Sequence, residues 1–290
     1  MPEFKNIVGD IYLLKVPFSI VWTGVILIKG DKNFLIDSGV ETAEKYIIPA
    51  LDKLGMKLSD IDYLLNTHCH GDHISCHYEI VNNYGTKVAA YEKTAKILEN
   101  PAENAVRIRL RFPKYSPKPQ LWLKGVKTDV ILKDGEILEN RLKVIHTPGH
   151  DADCVCWYDI PSKTIISGDS IQANGTPTQG IGFYQSLDNY KHSLHKLRNE
   201  DVENIICGHD YDGIGWFIHG RKNVTECFDY CECVIGEYDR RIREYVNIGI
   251  KDDYEIAVKL INEMGCGMPE SLFLALYTVN EHLKKIKENV

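Results

Sequence analysis

The stretch Thr67-His68-Cys69-His70-Gly71-Asp72-His73 brings three imidazoles and one carboxylate into six consecutive positions. It follows Ile61-Asp62-Tyr63-Leu64-Leu65-Asn66, an apolar run that is typical of a β-strand. Because an extended backbone sends alternate side chains to the same face, His68 and His70 can bind one metal ion. The stretch therefore predicts a metal site at the end of a strand.

The residues after His70 extend this predicted site. Gly71 permits a sharp turn, and beyond it Asp72 and His73 can reach a second ion beside the first. Imidazole and carboxylate are ligands that borderline divalent metals take. A surface loop with incidental polar residues is the alternative, but four ligand-competent groups in the order H-x-H-x-D-H favour the metal site.

The composition is that of an ordinary soluble globular protein, with 290 residues, 44% hydrophobic and 26% charged. The length allows one large domain with an appendage or two modest domains. A formal net charge of -7 argues against a polyanionic partner such as nucleic acid. No apolar run approaches the roughly 20 residues that span a bilayer, so we expect no membrane partner. The sequence leaves the oligomeric state open, with a homodimer as one option.

The cysteines and the N-terminal residues predict the compartment. The chain has nine cysteines, an odd number, in a protein too large to need disulfide bonds for stability. Its first residues, Met1-Pro2-Glu3-Phe4-Lys5-Asn6, show no charged leader followed by an apolar stretch. Both features favour a cytoplasmic protein with structural thiols.

Strand and helix signals alternate through most of the chain and predict an α/β fold. Strands are predicted at residues 11–16, 25–28, 33–36, 61–66, 87–91, 130–132, 142–146, 154–158, 164–167 and 202–207. Helices are predicted at residues 41–55, 76–83, 92–99 and 187–199. After Gly215 the strand signals stop, and helices are predicted at about 219–247, 252–264 and 269–287. The pattern predicts a catalytic domain over 1–213 and a helical extension over 214–290.

The segment from Pro101 to Lys124 breaks this pattern. It interleaves basic and aromatic residues and contains four prolines. Long irregular loops in compact domains often carry function, so the segment is a candidate lid or substrate wall, with a solvated connector as the alternative. The predicted substrate-binding residues are Arg107, Arg109, Arg111 and the more distant Tyr184.

Three more strand ends carry ligand-competent residues. His150 ends Thr147-Pro148-Gly149-His150, Asp169 follows Ser167-Gly168, and His209 follows Cys207-Gly208. Each comes after a strand and a glycine, a setting in which a side chain is held on a rigid frame while the backbone turns. Together with the first stretch they predict a centre for two metal ions. Another strand ends in Asp37-Ser38-Gly39.

In these motifs, which span residues 37 to 209, the chain resembles the metallo-β-lactamase superfamily of metal-dependent hydrolases. The resemblance implies a four-layer αβ/βα sandwich, in which two mixed β-sheets pack face to face with helices outside. It implies two ligand sets with Asp169 as the bridge, and Asp37 as a carboxylate that orients a ligand imidazole. The first set is His68, His70 and His150, and the second is Asp72, His73 and His209.

The resemblance also implies the chemistry. Two divalent cations, Zn²⁺ in the first place with Fe or Mn as alternatives, would share a water, lower its pKa and supply hydroxide. Asp72 is then predicted to be both a ligand and a catalytic residue. We expect hydrolysis of an ester, thioester, lactone or amide bond in a small molecule.

The branch within the superfamily is less well specified. Asp169 fits the glyoxalase II and lactonase branches, but lactonases are expected to carry a Tyr where this chain has Gln172. A ribonuclease of the same fold is the first alternative, favoured by the basic segment and by a C-terminal end similar to that of lactamase-like hydrolases that include a ribonuclease. An iron-dependent redox enzyme with the same ligands is the second.

Overall fold

The computed structural model of the protein describes residues 1–265 and 267–288. Within these residues it contains two β-sheets with α-helices on their outer faces. The predicted four-layer α/β sandwich is therefore confirmed. None of the described helices combines the length and apolarity needed to cross a membrane.

The first sheet has seven strands, and each is the neighbour of the next along the chain. They are β1 (Lys5–Val8), β2 (Ile11–Phe18), β3 (Val21–Ile28), β4 (Phe34–Ile36), β5 (Tyr63–Leu65), β6 (Lys87–Tyr91) and β7 (Val130–Leu132). The strands β1 to β4 pair antiparallel, whereas β4 to β7 pair parallel. Parallel neighbours need long crossover connections, and these contain the helices of the first half. The crossover helices are α1 (Ile47–Asp52), the 3₁₀ helix Leu58–Asp60, α2 (Gly71–Ile74), α3 (His77–Tyr84), α4 (Glu92–Leu98) and α5 (Pro101–Leu110).

The second sheet has six strands in the order β13-β12-β11-β10-β9-β8. They are β8 (Ile137–Leu138), β9 (Leu142–His146), β10 (Val155–Asp159), β11 (Thr164–Gly168), β12 (Asn204–Tyr211) and β13 (Gly215–His219). Only β11 and β12 pair parallel among these described strands, and α6 (Leu187–Arg198) lies in the connection between them. The C-terminal helices are α7 (Arg221–Asn247), α8 (Asp253–Met264) and α9 (Phe273–Glu288).

Side chains that point alternately to the two faces of each strand explain why both sheets are covered on both sides. In β2, Ile11 and Leu13 belong to the core between the two sheets, whereas Leu14 and Val16 pack in the core under α1 and α3. In β9, Val144 faces the inner core and Ile145 faces the helices on the other side. Both faces of each sheet are therefore buried, as the period of two in a strand requires.

The prediction that strand signals stop at Gly215 is wrong, because β13 pairs antiparallel with β12 and forms the edge of the second sheet. The strand is short and lies between Gly213 and Gly220, so its aromatic run resembles the start of the following helix. The α/β part of the chain thus reaches residue 219. The helices α7 to α9 pack in one core with the second sheet. The division into domains at residue 213 stays a prediction, and the predicted extension includes residues 266, 289 and 290, which lie outside the described residues.

The prediction of an irregular segment from Pro101 to Lys124 is wrong for its first part, which is helix α5. Proline is favoured at the first position of a helix, where its missing N–H group has no partner to lose. The buried residues Pro101, Ala105 and Ile108 also follow helical spacing. This signal was present in the sequence but was hidden by the density of basic residues and prolines. The rest of the segment, 111–124, contains no helix or strand.

Candidate metal centre

The predicted ligands lie where strands end at one edge of the sandwich. Because β10 is antiparallel to both β9 and β11, and β12 is parallel to β11, the strands β9, β11 and β12 run in the same direction. Their carboxyl ends therefore carry His150, Asp169 and His209 to one edge of the second sheet. The first stretch follows β5, with its last two donors on the short helix α2.

The structure brings all seven predicted ligands together: six of them form two sets of three, and a third group, His68, His73 and Asp169, shares one residue with each set. Within each set, one donor atom from each residue lies within 4.8 Å of the others. The first set is His68, His70 and His150, and the second is Asp72, His73 and His209. These are the same sets that the sequence resemblance implied, and their roles as ligands stay predictions.

Asp169 lies between the two sets. Its Oδ2 atom is 3.4 Å from Nε2 of His150, in the first set. Its Oδ1 atom is 3.4 Å from Nε2 of His73 and 3.4 Å from Nε2 of His209, both in the second set. Each oxygen of one buried carboxylate therefore faces a different group of donors.

Several of these donor atoms have no hydrogen-bond partner among the described residues. They are Nε2 of His68, Nε2 of His73 and Oδ1 of Asp169, all fully buried. A buried polar atom without a partner costs free energy, so such atoms rarely occur without a ligand to satisfy them. Imidazole nitrogens and a carboxylate oxygen pointing at a common centre fit divalent cations.

Backbone carbonyls orient two of the imidazoles. Nδ1 of His150 is 3.0 Å from the carbonyl oxygen of Phe183, and Nδ1 of His209 is 2.7 Å from that of Trp22. A carbonyl accepts, so in each ring Nδ1 donates to it and Nε2 is the nitrogen directed at the centre. The loop between β11 and α6 fixes the ring of His150 in this way, and β3 of the first sheet fixes that of His209.

Asp37, the residue predicted to orient a ligand imidazole, occupies that position. Its Oδ2 atom accepts a hydrogen bond from Nδ1 of His73 at 2.8 Å. Its two oxygens also accept from the backbone N–H and the hydroxyl of Thr67, at 2.8 and 2.9 Å. The carboxylate thus joins the end of β5 to helix α2. The backbone of Asp37 has a φ angle of 61°.

His70 is oriented differently, by residues that the sequence analysis missed. Its Nε2 atom is 3.2 Å from Oδ2 of Asp151, so its Nδ1 atom faces the centre, 3.0 Å from Nε2 of His150. Asp151 in turn accepts from Nη2 of Arg107 at 2.6 and 2.7 Å. Arg107, predicted to bind substrate, instead holds a carboxylate that positions a donor. Only the adjacency of Asp151 to His150 could have indicated this.

Gln172 is a second positioning residue that the sequence analysis did not assign. It is buried, and its Nε2 donates to the backbone carbonyl of Asp169 at 2.7 Å. Its Oε1 accepts from the backbone N–H of Phe183 at 3.1 Å and from Nε2 of Gln179 at 3.0 Å. The amide therefore braces the loop that carries Asp169.

Electrostatics prepare the donors for cations. Burial raises the pKa of the Asp72 carboxyl, but His73 and His209 oppose it more strongly and hold the pKa well below its ordinary value. Burial, followed by the nearby His70, lowers the pKa of His150 to about 4. For His209, burial lowers the pKa but Asp169 and Asp72 raise it to about 10. Cation binding at neutral pH therefore releases protons from some of these imidazoles.

A cavity of about 200 Å³ opens over the donors. Besides the donors, its walls come from α5, the segment after it, the loop after β11 and the start of α9. Residues that contribute are Phe18, Ile108, Arg109, Gln120, Thr176, Gln179, Phe183, Phe273 and Leu274. The wall is largely apolar, with a few polar groups, as small-molecule sites usually are.

Of the four predicted substrate residues, the structure places only Arg109 in the cavity wall. Arg107 binds Asp151, and Arg111 lies 3.9 Å from Glu281, with its guanidinium over the ring of Tyr277. Tyr184 is 1% exposed, and its hydroxyl is 2.7 Å from Nε2 of His282. The prediction for Tyr184 is wrong because its apolar ring packs in the core under the C-terminal helices.

Comparison with known proteins identifies the family. The sequence profile described as metallo-beta-lactamase superfamily matches residues 16–209. A probable metallo-hydrolase of Methanocaldococcus jannaschii is 30% identical, over 63% of this chain and 85% of that protein. A beta-lactamase-like protein 2 homolog of Drosophila melanogaster is 26% identical, over 91% of this chain and 81% of that protein. A hydroxyacylglutathione hydrolase of Pelagibacter ubique is 26% identical, over 56% of this chain and 57% of that protein.

A solved structure shows a similar fold. The metallo-beta-lactamase family protein of Thermus thermophilus superimposes with a TM-score of 0.72 and 20% identity. The match covers 97% of this chain and 94% of that chain, so it includes the C-terminal helices. At this identity the likeness concerns the fold alone.

Proposed function

This chain belongs to the metallo-beta-lactamase superfamily, and we propose that it is a hydrolase that uses two divalent cations to cleave a small acyl compound. The scissile bond is that of an ester, thioester, lactone or amide. The observation that carries the proposal is the position of Asp169, whose two oxygens face two different groups of donors. Seven donors exceed what one tetrahedral ion takes, and they suit two ions that share a carboxylate.

The donor set also bears on the identity of the ions. Imidazole nitrogens and carboxylate oxygens suit Zn²⁺, with Fe and Mn as alternatives. When bound, two such cations lower the pKa of a shared water and polarise the scissile carbonyl. The chain contributes the geometry: Asp72 and Asp169 bring negative charge between the imidazoles, and Asp37 keeps the ring of His73 in place.

The cavity supports a small substrate. Its volume of about 200 Å³ lies below the range of roughly 300–1,000 Å³ that is usual for drug-sized ligands. A thioester is the first substrate class to test, because one relative is described as a hydroxyacylglutathione hydrolase. Gln172, which stands where a lactonase is expected to have Tyr, is buried behind Asp169.

The contacts of the basic segment weaken the case for a ribonuclease. A nuclease must neutralise several phosphates with basic side chains. Arg107 is paired with Asp151, and Arg111 lies beside Glu281. Of the three arginines, Arg109 alone lines the cavity, so this wall offers one guanidinium to a ligand. We therefore propose a small-molecule substrate and no nucleic-acid partner.

The test is a substrate screen on metal-depleted and metal-reconstituted protein. We expect metal-dependent hydrolysis of at least one small ester, thioester, lactone or amide, and no efficient RNA cleavage. The matched variants are Asp72→Ala, which should abolish turnover, and Asp210→Ala, which removes an exposed carboxylate next to His209 and should not. Metal-dependent RNA cleavage that falls steeply between about 50 and 200 mM salt and is lost in Asp72→Ala would replace this proposal with the nuclease. Turnover that requires iron and changes the oxidation state of the substrate would replace it with the redox enzyme.

A further inference from the structure

We infer that the substrate carries a carboxylate besides its scissile bond, and that Arg109 binds this carboxylate. The inference rests on the proposed function and makes it more specific. According to this inference, one side chain of the cavity wall determines the specificity for charged over neutral acyl compounds.

Among the described residues, Arg109 donates hydrogen bonds to neutral groups and forms no salt bridge. Its Nη1 atom donates to the carbonyl oxygen of Ala105 at 3.0 Å, and its Nη2 atom donates to Oε1 of Gln120 at 3.3 Å. Its Nε atom is buried and has no hydrogen-bond partner among the described residues. No described carboxylate forms a salt bridge with this guanidinium within 4.0 Å. Since a guanidinium has five N–H groups in a planar fork, it retains donors for a ligand.

This situation is energetically unfavourable without a ligand. Arg109 is partly buried, and burial lowers the pKa of its guanidinium, while Asp72 has the opposing effect. A guanidinium in a protein stays protonated, so the charge persists. A partly buried charge that is not directly paired with an anion costs free energy, and an anionic ligand bound to the guanidinium would recover it. Arg107 and Arg111, on the same segment, already have carboxylate neighbours.

The position of Arg109 limits the length of the substrate. Gln120, its hydrogen-bond acceptor, packs against Gly71, where an added Cβ atom would lie 2.5 Å from the Oε1 atom of Gln120. Gly71 directly precedes the donor Asp72. Arg109 is thus connected to the metal centre through one side chain and one glycine. The carboxylate and the scissile carbonyl of the substrate are therefore separated by only a short chain.

The single positive charge of Arg109 and the apolar side chains of the cavity wall favour a carboxylate over a phosphate. One guanidinium matches a single negative charge, and its fork matches the two oxygens of a carboxylate. A phosphate carries more charge and needs more donors than this wall supplies. The apolar side chains of Ile108, Phe183 and Phe273 suit the hydrocarbon between the two ends of the substrate. The substrate class is therefore a small thioester, ester or amide that carries a free carboxylate on one side of its scissile bond.

The first experiment compares two thioesters of equal length on the metal-loaded enzyme. One ends in a free carboxylate and the other in a neutral isopropyl group of similar shape. We expect wild-type kcat/KM to favour the carboxylate, and Arg109→Gln to lower that value about 10- to 100-fold while the neutral compound changes little. Arg109→Lys should retain part of the preference. The matched control Lys118→Gln, which removes an exposed charge from the same segment, should leave it unchanged.

The second experiment measures binding without turnover, by calorimetry with glutarate, pentanoate and inorganic phosphate on metal-loaded protein. We expect glutarate to bind at least about tenfold more tightly than pentanoate, and the difference to disappear in Arg109→Gln. Arg109-dependent binding of glutarate without hydrolysis of any acyl compound would refute the proposed function but support this inference. Any of three results would overturn the inference. The wild type could bind glutarate and pentanoate equally well, or Arg109→Gln could lower kcat/KM equally for both thioesters. Arg109-dependent binding of phosphate in preference to glutarate is the third.

Discussion

The metal centre and the cavity wall face the same space, but they are held in different ways. Most donor side chains of the centre are buried and have a second hydrogen bond that fixes them, such as those of His73 to Asp37 and His209 to Trp22. The wall also contains the half-exposed side chains Arg109 and Gln120, which bond to each other and, for Arg109, to the backbone of its own helix. The difference indicates that the centre is preorganised for chemistry, whereas the wall is free to vary with the substrate.

Asp169→Ala should have the largest effect, because it removes the carboxylate between the two sets of donors. We expect turnover to fall by several orders of magnitude and the occupancy of the second ion to decrease, while circular dichroism shows a folded protein. Kinetics and elemental analysis of the same sample measure the turnover and the metal occupancy. The control Asp210→Ala should keep both values, and an Asp169→Ala protein with near-native activity would remove this carboxylate from the centre.

Asp37→Asn should have the next largest effect, because it removes the charge that orients His73 without contacting the ions. Asparagine tolerates the left-handed backbone at this position, so the fold should persist. Loss of such an orienting carboxylate typically weakens metal binding about 10- to 100-fold. Competition with a chelator of known affinity provides the measurement. Unchanged metal affinity would show that His73 is oriented by other contacts.

Two glycine substitutions compare the rigidity of the two regions. A Cβ atom at Gly168 would lie 2.2 Å from Oγ1 of Thr67, the residue that holds Asp37, and φ there is 48°. A Cβ atom at Gly71 would meet only the end of the Gln120 side chain, which can move. We expect Gly168→Ala to lower the free energy of unfolding by about 1–3 kcal/mol and Gly71→Ala by clearly less. Equal losses in urea unfolding would contradict the comparison.

Two arginine substitutions in neighbouring turns should have the smallest effect on metal affinity. They compare an arginine that supports the metal centre with one that does not. Arg107 acts on the centre through Asp151 and His70, whereas Arg111 does not contact a donor. We expect Arg107→Gln to weaken metal binding a few-fold, since its side chain is half exposed, and Arg111→Gln to leave it unchanged. Equal metal affinity of the two variants would show that Arg107 does not support the metal centre.

The sequence allowed much of the centre to be predicted, because each donor lies within a few residues of a strand signal and a glycine. Such local patterns identify the residue and the end of the sheet where it lies. The role of Asp37 was implied by the family resemblance, and the residue directly follows β4. The residues that position donors across the chain could not be predicted locally. Arg107 and Asp151 are 44 residues apart, and no local signal connects them.

The fold was predictable where hydrophobic periods were long and was missed where elements were short or densely charged. The strand β13 has five residues between glycine turns, too few to distinguish it from a helix start. Helix α5 has buried residues at helical spacing, but its arginines suggested an irregular basic loop. Tyr184 was predicted to join the 101–124 segment in the substrate wall, but only tertiary packing decides whether such a ring faces a cavity or the core.

We propose that one chain holds two cations joined by Asp169, and the metal content of the purified protein tests this proposal. The protein should be reconstituted with Zn²⁺, freed of excess metal by gel filtration and analysed for metal and protein in the same sample. We expect two ions per chain for the wild type and about one for Asp169→Ala. A wild-type content of one ion per chain, even after reconstitution with excess metal, would contradict it.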